Sequence, residues 1–536
     1  MRIMLHAWSA PSTRRFFPSS PAEEERPLRL AAARGERVAF QVVFRTGEQP
    51  CTVSAAVSAP IPATLRRVGY VPVEQLTAGV PAEEIDGLAH LPGPAPDPLL
   101  EQTEIPAGPH ETHSFWVTAA VPPAVGPGAY EVRVALRPEG GEPRQVSAVL
   151  DVHRAVLPPR EGFPVTNWLY ADALCDHYGV EPFGDRFWQV LDPYLRNNAE
   201  HGSDTMYVPL LTPALDGVKR PTQLLGVHRD GDGYRFDWTL VQRWIRACRA
   251  HGISGFEWSH LFTQWGAAHA PRVYEGHGAG GRALWADGTG ATSPTYEAFL
   301  ARLLPELERF LDAEGLVGRS WFHLSDEPSG DEALANYRAA RQLLRTVAPW
   351  MRVTDALSDV RFAAEGLIDV PVPIVETAPE FLAGGFPAWA YFCNVPRGHY
   401  VNRLMDTPLP KLRMLGWLLH RSGAQGFLHW GYNYWYRHLT SELVDPYRVT
   451  DGGRALPSGD CFAVYPGESG PVDSTRWEVF AESLQDLALL RHSGVGPQDP
   501  LLGELHDFAR FPRDPRWVGR ARRHVLDRVA AVQARD

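Results

Sequence analysis

The sequence predicts an α/β plus β protein: an N-terminal β-sandwich, then a TIM-like (β/α)8 barrel, then a C-terminal strand and helices packed on the barrel. Three observations carry this. Up to about residue 157 apolar residues recur at every second position, the period of strands with one buried face. From about 160 to 430, short apolar runs alternate with stretches of helical period, the rhythm of βα units. Beyond 450 that rhythm stops. The expected divisions are 1–157, 158–458 and 459–536, with Pro158-Pro159 at the first boundary.

In the first part, Val38, Phe40, Val42 and Phe44 alternate with Ala39, Gln41, Val43 and Arg45. Tyr130, Val132, Val134 and Leu136 alternate with Glu131, Arg133, Ala135 and Arg137, and Val146, Ala148, Leu150 and Val152 repeat the pattern. Each run should have one buried and one wetter face, as in two antiparallel sheets packed together. In the second part strands are expected at 165–170, 205–211, 255–261, 320–324, 352–355, 372–376, 388–393 and 426–430. Helices are expected at 183–201, 238–251, 294–314 and 331–347. Eight strands over roughly 270 residues match the usual size of a (β/α)8 barrel. Ser329 and Glu332 have capping-box spacing at the start of the helix from 331. In the last part a strand is expected at 460–465. Trp477, Phe480, Leu484, Leu487 and Leu490 mark one face of a helix, with Arg476, Glu478 and Glu482 off it. A basic helix at 516–534 should dock on the surface.

Composition excludes several classes. Apolar content of 44% and charged content of 21% are ordinary for a globular chain of 536 residues. A net charge of −11 argues against a nucleic-acid partner, which needs a basic face. No apolar run is long enough to span a membrane. The five cysteines are far apart and form no CxxC pair, which fits buried free thiols in a reducing compartment. Arg14-Arg15-Phe16-Phe17 lacks the apolar segment of an export signal, so a cytoplasmic location is expected, or a periplasmic or secreted one if a leader has been removed. Histidine is plentiful, at 20 residues, but no HExxH or other ligand spacing occurs. There is no Gly-rich phosphate loop and no GxSxG elbow, so neither a metal nor another cofactor is expected.

The most informative stretch is Ser325-Asp326-Glu327-Pro328, directly after the apolar run Ser320-Trp321-Phe322-His323-Leu324. A buried strand ends here in two carboxylates, and Pro328 biases Glu327 toward extended backbone. Barrels keep their catalytic groups at the C-terminal ends of strands, and acid–base chemistry needs ionisable groups on such a rigid edge. The alternative is an exposed acidic turn. A second signal is the aromatic run from Gly426 to Tyr436, at the end of the eighth expected strand. Trp430, Tyr432 and Trp435, with Asn433 and His429, have the mixture of rings and polar groups that a sugar platform needs. Asn167, Trp168 and Tyr170 end the first strand, His260 the third, and Tyr391 and Asn394 the seventh. Several strand ends with aromatic and amide or imidazole chemistry are what a saccharide pocket requires. Asp355 and Glu376 are further hydroxyl partners or helix caps.

Together these residues resemble glycoside hydrolase family 123 and the related "domain of unknown function 4091" group of bacterial proteins. The resemblance rests on 31–44 (AAARGERVAFQVVF), on His323-Leu324-Ser325-Asp326-Glu327-Pro328, and on Tyr391 to Asn394. It continues through Tyr400-Val401-Asn402-Arg403, Trp417, Gly426-Phe427-Leu428-His429-Trp430 and 482–490 (ESLQDLALL). It implies a β-sandwich, a (β/α)8 barrel and β-N-acetylgalactosaminidase activity on a small carbohydrate. It assigns Glu327 as general acid/base and Asp326 as the group that orients the substrate's acetamide.

Chemistry points the same way. Two carboxylates that flank a glycosidic bond sit about 5–5.5 Å apart in a retaining enzyme and about 6.5–9.5 Å apart in an inverting one. Consecutive residues, with Cα atoms about 3.8 Å apart, cannot easily straddle the bond. They can divide the work if the 2-acetamido oxygen of the sugar is the nucleophile. Two alternatives remain: a glycosidase of this architecture for another sugar, recruiting a distant carboxylate such as Glu376 or Glu257, and a non-catalytic carbohydrate-binding protein.

Overall fold

The computed structural model describes residues 4–212, 220–231, 233–278 and 280–535. Two five-stranded sheets form the N-terminal part. One has the order Leu5–Pro11, Arg37–Thr46, Thr112–Ala120, Ala63–Val73, Gly93–Leu100. The other runs Leu28–Arg34, Arg144–Val156, Gly128–Pro138, Cys51–Ser58, Glu104–Ala107. All pairings are antiparallel except Arg144–Val156 with Leu28–Arg34. Phe40, Val42, Phe44, Phe115, Val117, Val132, Val134 and Leu150 interdigitate between the sheets. The period-two pattern thus identifies the inner faces. The outer face of Arg37–Thr46 differs from expectation: Ala39, Gln41 and Val43 are buried too, because this sheet rests on the rest of the molecule.

The barrel follows. Its strands are Val165–Asn167, Thr205–Val208, Gly255–Trp258, Ser320–His323, Val353–Ala356, Val370–Val372, Ala390–Tyr391 and Phe427–His429, parallel and in sequence order. The sixth and seventh close the ring through Trp389 N–H to Pro371 O (3.0 Å) and Tyr391 N–H to Pro373 O (3.1 Å). The sixth strand lies earlier than its predicted span, ending at Val372, where the following Pro373 has no N–H to pair. A helix at Ala171–Tyr178, absent from the sequence expectation, lies between the first strand and helix Asp185–Glu200. Helix Pro294–Ala313 starts at a proline and is capped by the Ser293 hydroxyl accepting from Tyr296 N–H, the favoured chemistry at both positions. The expected capping box at Ser329 and Glu332 is not made. Ser329 has the extended backbone of an N-cap, but its side chain accepts no cap hydrogen bond.

Helix Thr475–His492 joins the two halves. Its apolar face is as predicted, yet Arg476, Glu478 and Glu482 are buried as well. Arg476 forms a two-pronged pair with Asp97 of the sandwich (3.0 and 2.9 Å), Glu478 takes Arg66 (2.5 Å), and Glu482 takes Ser12 and Arg413. Charges off an amphipathic face need not meet water when a second layer supplies partners. Helix Arg516–Gln533 docks by Trp517, Val525 and Leu526, with Arg522 paired to Glu36 and Asp486. All five cysteines are free and buried. No helix among the described residues is long and apolar enough to cross a membrane.

Candidate active site

At the C-terminal ends of the barrel strands lies a cavity of about 160 Å³. Asp326, Glu327, Trp168, Tyr170, Tyr391, Asn394 and Trp430 line it, together with Gln264, Trp265 and Cys393. The fold therefore brings seven of the predicted site residues to one place. A larger cavity, about 1420 Å³, opens at the opposite end of the barrel, among Arg160, Trp321, Arg352 and Trp389. It has no paired carboxylates, and barrel enzymes carry their chemistry at the C-terminal end.

The backbone at the acid pair is not the extended form that Pro328 favours. Glu327 has φ +44°, in the left-handed region that only glycine enters freely. The turn is held on both sides. Glu327 N–H donates to Ala356 O (2.9 Å), and Trp265 N–H donates to Asp326 O (2.7 Å). At this turn the two side chains differ in exposure. Asp326 is recessed at 8% exposure, and Glu327 is exposed at the mouth. The Tyr391 hydroxyl donates to Glu327 Oε1 (2.7 Å). Burial, and then the Glu327 charge, hold that phenol protonated.

A buried relay supports the pair from below. His323 Nε2 meets Glu257 Oε1 (2.5 Å), and His323 Nδ1 meets Asp355 Oδ1 (3.1 Å). Glu257 Oε2 accepts from the Trp168 indole (3.1 Å), and Asp355 accepts from Tyr337 (2.6 Å) and from Ser325 N–H (3.1 Å). Burial opposes the charge on His323, but the two carboxylates prevail and push its pKa up to about 10. Burial raises Asp355 while the imidazolium pulls it back; facing that cation and two further donors, the ion pair is the favoured form. His260 stacks on His323 (4.4 Å between centroids), and burial lowers its pKa well below the usual value. Beside the cavity, Arg403 donates to Asn167 (2.9 Å), His429 (2.8 Å) and Gly431 O (2.8 Å).

Five predicted ligands do not line the cavity. Asn167 binds Ser203 and Arg403, and His260 faces Tyr207 and His323. Tyr432 donates to Asn197, and Trp435 donates to Val464 O. Asn433 clamps both backbone groups of Tyr170. The aromatic run continues past the strand into the interior, so of its predicted ligands only Trp430 meets the cavity. Asp355 and Glu257 belong to the relay, and Glu376 is exposed outside the cavity. The sequence reading missed Gln264 and Trp265, which follow the third strand, and His323, whose position three residues before Asp326, at the end of strand Ser320–His323, was the available signal. Among the described residues, two groups bring potential metal-ligating atoms together: His260, His323 and Asp355, and His201, Asp473 and Glu478. In both, the carboxylates are engaged by protein donors, namely Tyr337 and Ser325 for Asp355, and Arg66 for Asp473 and Glu478.

An eight-stranded parallel barrel with recessed and exposed acids at its C-terminal rim has the architecture on which barrel enzymes build their active sites. The chain belongs to glycoside hydrolase family 123: residues 168–493 match the model described as "Glycoside hydrolase 123, catalytic domain". A family 123 glycoside hydrolase from Clostridium perfringens, whose structure was analysed for glycolipid glycan hydrolysis, has the same fold. It is 14% identical with a TM-score of 0.77, over 99% of both chains. A Bacteroides ovatus GH5 xyloglucanase in complex with a XXXG heptasaccharide (10% identity, 86% of this chain and 98% of that one) reaches only 0.30. An Eisenbergiella tayi GH2 β-galacturonidase bound to galacturonate (11%, 90% and 73%) reaches only 0.32. At such scores the likeness is too slight to bear on this chain. No curated protein matches the sequence.

Proposed function

We propose that the chain is a retaining, exo-acting β-N-acetylgalactosaminidase-like hydrolase whose substrate supplies its own nucleophile. The observation that carries this reading is the division of two consecutive acids at one cavity, Asp326 recessed and Glu327 at the mouth. Among the described lining residues there is no third acid. Of the buried carboxylates behind that lining, Glu257 is committed to His323 and Trp168, and Asp460, which interacts with Trp430, does not reach the cavity. A protein nucleophile on the opposite face of the sugar therefore has no evident source. A cavity well below the roughly 300–1,000 Å³ of larger ligand sites suits a single terminal sugar.

In the first step the acetamide oxygen attacks the anomeric carbon, the bond to the leaving oxygen breaks, and Glu327 gives that oxygen its proton. Asp326 accepts from the acetamide N–H and stabilises the positive charge of the cyclic intermediate. In the second step Glu327, now a carboxylate, takes a proton from water as the water attacks the anomeric carbon and reopens the ring. Two inversions give retention. Tyr391 occupies Glu327 Oε1, which leaves Oε2 for the proton.

The test is turnover of a chromogenic β-N-acetylgalactosaminide. Glu327→Gln should lose roughly 10²- to 10⁴-fold in kcat, the usual worth of general acid–base catalysis, and Asp326→Asn should lose heavily as well. A thiazoline analogue of the cyclic intermediate should inhibit. Wild-type rates in both variants, or equal turnover of glycosides lacking the 2-acetamido group, would rule the reading out.

A further inference from the structure

Trp265 combines three features that seldom coincide. It is 59% exposed, it has φ +62°, and it lines the cavity beside Glu327. A bulky residue with positive φ is a backbone outlier, and such strain persists only where the surroundings enforce it. Here they do. Trp265 N–H is bonded to Asp326 O, and the Ser325 hydroxyl donates to Thr263 O (2.8 Å) while accepting from Ala267 N–H (3.2 Å). Leu261 N–H and Phe262 N–H extend the stapling to His323 O and Leu324 O (3.0 and 2.9 Å). Gly266, at φ +131°, lets the loop lie on helix Gly330–Val347, which follows the acid pair; a Cβ there would stand 2.9 Å from Ala333 Cβ. The indole is thus fixed to the segment that bears the two acids, yet much of it is left in water. Strain and apolar exposure both oppose folding, and packing does not repay them. Leu439 repeats the combination across the rim, 48% exposed at φ +58°, directly after the lining residue His438.

We propose that Trp265 is the platform of a leaving-group subsite: it stacks on the C–H face of the sugar ring attached through the scissile oxygen and sets the preference for a glycan over a small aglycone. This rests on the reading of the cavity as the site of a terminal N-acetylhexosamine. Glu327, the proposed proton donor, is the exposed member of the pair, so the leaving oxygen faces the mouth. The ring beyond that oxygen emerges where Trp265 stands. An indole face suits such a ring because pyranose C–H groups are weakly apolar and the contact demands no fixed hydroxyl pattern.

The experiment compares kcat/KM for a β-linked N-acetylgalactosaminyl hexose disaccharide with that for the methyl β-glycoside, in wild type, Trp265→Ala and Trp265→Phe. The ratio should fall roughly five- to tenfold in Trp265→Ala, in the range that aromatic contacts of this kind supply, and be largely kept in Trp265→Phe. The methyl glycoside should lose less than the disaccharide, so the ratio and not the absolute rate is what the subsite moves. An unchanged ratio, with both substrates slowed alike, would mean that Trp265 only braces the loop, and would overturn the subsite while leaving the proposed chemistry intact. Absence of turnover by the wild-type enzyme on every 2-acetamido glycoside would overturn both.

Discussion

The Tyr391 hydroxyl donates a 2.7 Å hydrogen bond to Glu327 Oε1, tying the end of the seventh barrel strand to the end of the fourth. The phenol is buried and stays protonated, so it is a fixed donor rather than a titrating partner. Removing it should leave the fold intact and free the Glu327 carboxylate to rotate. We expect Tyr391→Phe to lower kcat about tenfold or more, the cost of a loosened catalytic group, with KM changed much less. Steady-state kinetics on the chromogenic glycoside check this, and an unaltered kcat would show that the bond has no part in holding the acid.

The left-handed backbone at Glu327 predicts a conflict between stability and activity. A non-glycine residue there costs on the order of 1–3 kcal/mol, and glycine at the same position relieves that cost against its own entropic penalty of roughly 0.5–1 kcal/mol. Glu327→Gly should therefore abolish turnover yet unfold in urea at the wild-type midpoint or above it. A loss beyond about 1 kcal/mol would mean that the side chain's bond to Tyr391 outweighs the strain.

The His323 relay predicts a pH dependence of stability. With a folded pKa of about 10, above the ordinary 6.5, the imidazolium contributes stability that is complete below about pH 6.5 and is lost as pH rises through about 10. His323→Gln leaves Glu257 and Asp355 buried without their cation, and should cost about 3–5 kcal/mol at neutral pH. The gap between wild-type and variant melting temperatures should narrow from pH 6.5 to 10. A gap that stays constant would show that His323 is not the charged partner.

Asp460 behaves in the opposite sense. It is fully buried, neither carboxylate oxygen has a protein hydrogen bond of good geometry, and burial pushes its pKa up to about 7 although Trp430 and Arg403 pull it down. Because the folded value lies above the unfolded one, near 3.8, folding favours the protonated form and stability falls as pH rises from about 4 to 7. Asp460→Asn should remove this loss, gaining on the order of 2–4 kcal/mol over wild type at pH 8 and little at pH 4. Thermal melts at the two pH values measure it, and an equal effect at both would refute the assignment.

Much of the architecture was legible because its signals are local. Period-two runs mark the inner faces of the sandwich, and the alternation of short apolar runs with helical stretches locates all eight barrel strands. Asp326 and Glu327 were legible for the same reason, since a strand that ends in two acids and a proline is written in consecutive residues. Local rules failed where distant segments imposed their own terms. Hydrogen bonds from Ala356 and Trp265 hold Glu327 in a left-handed turn against the preference set by Pro328. Arg66, Arg413 and Asp97 let helix Thr475–His492 bury its charges.

What the chain by itself determined, then, is which residues form strands and helices and which strand end carries the acids, because side-chain period and backbone preference act over a few residues. Only the tertiary structure decided which aromatics face the cavity. Trp430 does, while Tyr432, Asn433 and Trp435 are drawn inward by Asn197, Tyr170 and Val464, partners far away in sequence. It also decided that Glu257, His323 and Asp355 form one buried relay under the acid pair. The physical reason is that closing the barrel excludes water there, and a charge without water must take whichever opposite charge the fold sets beside it.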